Sequence, residues 1–101
     1  MIIYEVRIRV EPHIAEAYRT WLDGHIHQIL TLPGFERAEL LQEELEQECP
    51  VYTVRYHLDN RQSLAVYLRD HASRLRAEGI AQFGDQFTAT RRVMELVRIF
   101  S

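Results

Sequence analysis

Between Ile2 and Val10 the residues Ile2, Tyr4, Val6, Ile8 and Val10 alternate with Ile3, Glu5, Arg7 and Arg9, and a period of two turns one apolar face of a strand onto a core. The period then changes. Glu11-Pro12 breaks the strand and sets proline where a helix begins, after which Ile14, Tyr18, Trp21, Leu22, His25 and Ile29 recur at three- and four-residue steps. This predicts a helix from about His13 to Thr31, ended by Leu32-Pro33-Gly34. A second extended segment runs from Phe35 to about Gln42, with Ala38, Leu40 and Gln42 on one face and Arg37, Glu39 and Leu41 on the other. Glu43, Glu44, Glu46 and Glu48 crowd a turn beside Pro50, an acidic hairpin tip of the kind that discourages edge-to-edge strand association. Past it Tyr52, Val54, Tyr56 and Leu58 alternate with Thr53, Arg55 and His57, so strands two and three form a hairpin.

Asp59-Asn60 supplies cap residues for a second helix, whose stripe Leu64, Tyr67, Leu68, His71 and Leu75 keeps helical spacing until Gly79 offers a stop or kink. Ile80 and Phe83 add a further turn before Gly84. The last segment, Phe87 to Phe100, is rich in Thr, Val and Ile and reads as one long strand; helix is the alternative, since RRVMELVRIF also carries good helix formers. The order β-α-β-β-α-β is the split βαβ, ferredoxin-like arrangement of the α+β class, a four-stranded antiparallel sheet with both helices on one face. At 101 residues the chain has length for a single such domain.

Composition removes whole classes of chemistry. All twelve basic residues are arginine, so a Schiff-base or pyridoxal-phosphate lysine and a Walker phosphate loop are excluded. With one cysteine, Cys49, the chain can form neither an intrachain disulfide nor a cysteine-bound iron–sulfur cluster, which fits a reducing, cytoplasmic setting. Glu5, Arg7 and Arg9 interrupt the opening apolar run, and no later apolar stretch is long enough to span a bilayer, so neither a signal peptide nor membrane association is expected. The four glycines lack dinucleotide-fingerprint spacing, and no serine stands in a nucleophile elbow. The net charge of −3 divides unevenly: residues 1–60 carry five Arg against eleven Asp and Glu, and residues 61–101 seven against four. An RNA-recognition domain of the same topology needs aromatics on the open sheet face and a basic surface. Here Tyr4, Tyr52 and Tyr56 fall on the helix-packed faces and the chain is acidic, so no nucleic-acid partner is expected.

The opening MIIYEVRIRV, the Trp21-Leu22 step to His25, and above all the block HASRLRAEGIAQFGDQFTATRRV from His71 to Val93 resemble the bacterial family catalogued as domain of unknown function 4286, over nearly the whole chain. That family brings no assigned activity. More remotely, the short βαββαβ unit with a Pro-Gly turn before strand two is similar to the dimeric α/β-barrel superfamily. Its members include antibiotic-biosynthesis-type monooxygenases, haem-degrading monooxygenases and muconolactone-isomerase-like proteins; this likeness is one of fold. Haem-degrading members rely on an asparagine, tryptophan and histidine constellation, and the only asparagine here is Asn60, at an expected helix cap.

His25 and His27 stand two residues apart on a helix, about 200° of rotation, so their rings diverge and no joint metal site is expected. His25 shares the stripe of Trp21, Leu22 and Ile29, and His71 that of Leu64, Tyr67, Leu68 and Leu75, so each helix is expected to turn one histidine toward the sheet. Two readings are open: core histidines bonded to backbone or tyrosine, or a pocket between helices and sheet walled by Tyr4, Trp21, Tyr56 and Tyr67, with His25 or His71 as proton carrier. Arg74, Arg76, Arg91 and Arg92 suit capture of an anionic group, Arg74 and Arg91 being the candidates, and Arg91 and Arg92 must point to opposite faces of a strand. On the open sheet face Ile3, Leu41 and part of Phe87, Val93, Val97 and Ile99 are expected beside Glu5, Arg7, Arg37, Glu39 and Arg55. That face predicts a homodimer formed through the sheets, with opposite charges matched across the two-fold axis. The sequence thus reads as a homodimeric binder of a small apolar or anionic molecule, with no cofactor implied. The alternatives are a cofactor-free monooxygenase or isomerase, and a non-catalytic dimerisation or regulatory module.

Overall fold

The computed structural model describes residues 1–44 and 48–101, so Glu46 of the acidic turn lies outside the described residues. Strand β1 spans Ile2–Val10, a 3-10 turn Pro12–Ile14, helix α1 Ala15–Ile29, strands β2 Phe35–Gln42 and β3 Val51–Leu58, helices α2 Arg61–Asp70 and α3 Ala72–Phe83, and strand β4 Phe87–Glu95. The strands form one antiparallel sheet in the order β2-β3-β1-β4. This is the ferredoxin-like α+β fold, its helices packed on one sheet face. No helix among the described residues is long and apolar enough to cross a membrane.

The alternation in β1 lands as its period dictates: Ile2, Tyr4, Ile8 and Val10 are buried with Val54, Tyr56 and Leu58 of β3 against Tyr18, Leu22, Ile26 and Ile29 of α1. Asn60 caps α2, its Oδ1 accepting the Ser63 amide at 3.0 Å. Gly34, at φ 86°, lets the chain turn back from α1 into β2.

Three expectations are corrected. The second helix is two, broken at His71, whose φ of −128° interrupts it. At 100° per residue the buried Leu64 and Tyr67 of α2 and the buried Ala72, Leu75, Gly79 and Phe83 of α3 centre about a quarter-turn apart. A straight helix could not present both sets to one sheet, and the break leaves Leu68 exposed. Gly79 is therefore no stop; it lies inside α3, which ends at Gly84 with φ 60°. Second, the final strand stops at Glu95 because its partner begins there: Ile2 pairs with Glu95, and Leu96 gives its amide to the Met1 carbonyl oxygen at 3.0 Å. Val97 and Ile99 lie beyond the sheet, exposed.

Third, the register sets Val10 opposite Phe87 and Tyr4 opposite Val93, which puts Phe87 and Val93 on the helix-covered face. The open face instead carries Ile3 beside His57 and Met94, with a transverse row Glu39, Arg55, Glu5, Arg92 of alternating sign across all four strands. Glu5 is buried and accepts from Arg55 Nε at 2.9 Å and Arg92 Nε at 2.5 Å, so this carboxylate finds its partners within one chain, where matching across a two-fold axis was expected. The Arg92 hydrogen bond, with Arg55 assisting against the cost of burial, holds the Glu5 carboxyl below its usual pKa.

Candidate functional site

A cavity of about 520 Å³ opens between α1, α3 and the helix-covered face of β1, β3 and β4. Val6 and Ala89 form part of the floor and stay half-buried while their strand neighbours Ile8 and Tyr4 are sealed. Ile80, Gly84, Asp85 and Arg91 line it while exposed to solvent, which marks its mouth. Ligand sites commonly measure about 300–1,000 Å³ and combine apolar walls with few polar groups, and this cavity has that composition.

Tyr4, Trp21, Tyr56 and Tyr67 all line it, as does His25. Tyr4 stacks near Tyr56 at 6.1 Å between ring centroids and tilts against Tyr67 at 5.8 Å. Trp21 and His25, one turn apart on α1, stack at 4.5 Å with 21° between their planes. Gly79 makes room for that indole: a Cβ there would stand 2.9 Å from Trp21 Cη2.

Burial keeps the phenols protonated. It raises the pKa of Tyr18 and Tyr56, and that of Tyr67 up to about 12, against an opposing pull from the Arg91 charge. Burial also lowers the His25 pKa, with Glu78 opposing and Arg91 assisting, so the imidazole is neutral near pH 7. Its Nδ1 is buried without a hydrogen-bond partner. His27 points away, exposed, its Nδ1 on the Asp23 carbonyl oxygen at 2.8 Å. Among the described residues no group of three or more metal-ligating side chains converges.

Of the paired candidates, one of each pair reaches the cavity. His71 was expected to face the sheet with His25; it sits at the α2–α3 junction, outside the lining, where its Nδ1 accepts from Arg74 Nη2 at 3.3 Å. That bond also occupies Arg74, which does not line the cavity. Arg91 does, since its partner across the ladder is the inward-facing Val6, while Arg92 turns to the open face. The second cationic wall residue is Arg76, whose Nη2 donates to Tyr4 Oη at 2.9 Å and whose Nε is buried without a partner. Its signal was present as the spacing Ala72, Arg76, Gly79, Phe83, a helical stripe that emerges only once α3 is separated from α2.

The family model described as a domain of unknown function (DUF4286) matches residues 1–97. No curated protein matches the chain. Among solved structures, a candidate antibiotic biosynthesis monooxygenase from Deinococcus radiodurans is similar at 16% identity and a TM-score of 0.77, over 100% of this chain and 97% of the other. A variant of SnoaB, a cofactor-independent oxygenase from Streptomyces nogalater, is similar at 14% identity and a TM-score of 0.75, over 97% and 94% of the two chains. A variant of MhuD with two manganese protoporphyrin IX molecules per active site is similar at 16% identity and a TM-score of 0.73, over 100% and 99%. At these identities the likeness is one of fold. The haem-degrading constellation does not fit these residues: Trp21 and His25 line the cavity, but Asn60 is held in its helix cap and the described lining contains no asparagine.

Proposed function

The chain belongs to the DUF4286 family, and from that premise we propose that it binds a small, largely apolar molecule in the cavity between α1, α3 and the sheet. One observation carries the reading: a cavity of about 520 Å³ whose lining brings together aromatic side chains, one histidine and two arginines. Native mass spectrometry of the freshly isolated protein tests it. A noncovalent adduct present in the wild type and lost in Ala89→Phe, which fills the floor, is expected. An adduct retained by Ala89→Phe, or bare protein throughout, would remove the proposal.

A second reading, cofactor-free oxidation or isomerisation, is favoured by His25. For an isomerisation, a neutral imidazole with an unpartnered buried nitrogen can take a proton from a bound carbon acid and return it to another atom of the same molecule. The non-catalytic module gains less, because His25 lines a cavity that reaches solvent. The homodimer belongs to the proposal in a revised form. Its interface is the open sheet face, with Ile3, Met94 and Leu41 as apolar contacts around the charge row centred on Glu5. Light scattering should give twice the 12.0 kDa chain mass, reduced to one chain by Ile3→Glu. A monomer at micromolar concentration would contradict it. A cytoplasmic setting is proposed on the single thiol, Cys49.

A further inference from the structure

Resting on that reading of the cavity, we propose that its ligand is a planar aromatic monoanion, its carboxylate or equivalent oxyanion set between Arg76 of α3 and Arg91 of β4. The argument starts from charge. Arginine cannot shed its proton in a protein, so a guanidinium turned into a largely apolar wall needs an anion or costs stability. Arg7, Arg19, Arg37, Arg55, Arg61, Arg69 and Arg92 each lie within ion-pair distance of a carboxylate. Among the described residues Arg9, Arg74, Arg76, Arg91 and Arg98 do not, and of these five Arg76 and Arg91 line the cavity. Arg76 is half-buried, with one amino group on the Tyr4 hydroxyl and its Nε left without a partner.

Asp85 is the acidic side chain of the lining, and it stands beyond ion-pair distance of both arginines. Two cations against one anion leave the wall with a single positive charge to meet, which sets the ligand's charge at −1. The Arg91 charge is felt at the walls, where it opposes the burial-raised pKa values of Tyr18, Tyr56 and Tyr67 and adds to the burial that disfavours a proton on His25. The rest of the ligand follows from the walls. Trp21 and Tyr56 present aromatic surface to the same cavity, and aromatic rings pack on one another with a preference beyond the area they bury.

Calorimetric titration with 2-naphthoate and its neutral isostere 2-naphthamide tests the proposal, with the sole tryptophan, Trp21, as an optical report of cavity occupancy. The wild type should bind the acid at least tenfold more tightly than the amide. Arg91→Met, at an exposed position, should cut the preference for acid over amide to within twofold. Arg76→Met should weaken the acid as well, with far-ultraviolet dichroism checking the fold because Tyr4 loses its partner. Equal affinity for acid and amide, or a preference that survives Arg91→Met and Arg76→Met together, would overturn the anion assignment and leave the cavity reading intact. Absence of both heat and any Trp21 emission change with either compound would overturn both.

Discussion

Replacing Gly79 with alanine sets two effects of similar size against each other. In an unobstructed helix the change favours folding by about 1 kcal/mol, because alanine loses less backbone entropy than glycine. At this position the added Cβ would stand 2.9 Å from Trp21 Cη2 and 3.4 Å from Cζ2, with Phe87 Cζ at 3.5 Å on the other side. The obstruction is the edge of a rigid indole stacked on His25 at 4.5 Å, so the whole ring must move to relieve it. Overpacking of that kind costs about 1–3 kcal/mol, and the net expectation is a loss of about 1 kcal/mol, which lowers Tm by about 4–8 °C in a domain of this size. Gly24 is the control: it lies in α1 with nothing within 4 Å of its added Cβ, so Gly24→Ala should stabilise by about 0.5–1 kcal/mol. Thermal and urea unfolding followed by far-ultraviolet dichroism measure both variants, and Trp21 emission should shift in Gly79→Ala alone. If Gly79→Ala stabilises as much as Gly24→Ala, the indole is not seated against α3 and the wall described here is wrong.

Further outcomes follow from the charged groups. His25 has a native pKa lowered from 6.5, mainly by burial, so the unfolded chain binds its proton more readily; stability should fall as pH drops below about 6.5 and level off below the native value, and His25→Gln should remove that dependence from a pH series of urea midpoints. Glu5 has its pKa lowered from 4.5, mainly by its hydrogen bond to Arg92, so its contribution is present above that value and disappears as pH falls through the native one. Glu5→Gln should cost about 1–3 kcal/mol at pH 7 and flatten the acid limb of the same series. His71→Ala and Arg74→Ala, outside the cavity lining, should leave ligand affinity unchanged; a tenfold loss of binding in either would contradict that placement.

The elements were legible where a single face is buried. β1 carries alternation sharp enough to fix its ends, β2 is bounded by the Pro33-Gly34 turn and the acidic turn, and the stripe on α1 places Trp21 and His25 side by side. What the sequence concealed was relative rotation. Leu64 through Leu75 sustain a helical spacing that continues across the break, and nothing in His71 marks it, because the quarter-turn is imposed by packing on the sheet. Beyond the break, Arg76 lines the cavity while His71 and Arg74 lie outside its lining. Strand four misled for another reason: its alternation is weak, with an arginine on each face and Met94 opposite in facing to Val93, and only pairing to β1 shows that Phe87 and Val93 turn inward. Gly79 carried a breaker's signature while its actual role, close approach of Trp21, depends on a residue far away in sequence.

The central claim is that the space between α1, α3 and the sheet receives a ligand, and amide chemical-shift mapping with a panel of planar aromatic fragments at millimolar concentration tests it most directly. The account predicts shifts gathered on Trp21, His25, Gly79, Ala89 and Arg91, residues of three elements that all line the cavity. Shifts confined to the open face, at Arg7, Thr53 and Thr90, or no shifts for any fragment, would contradict it.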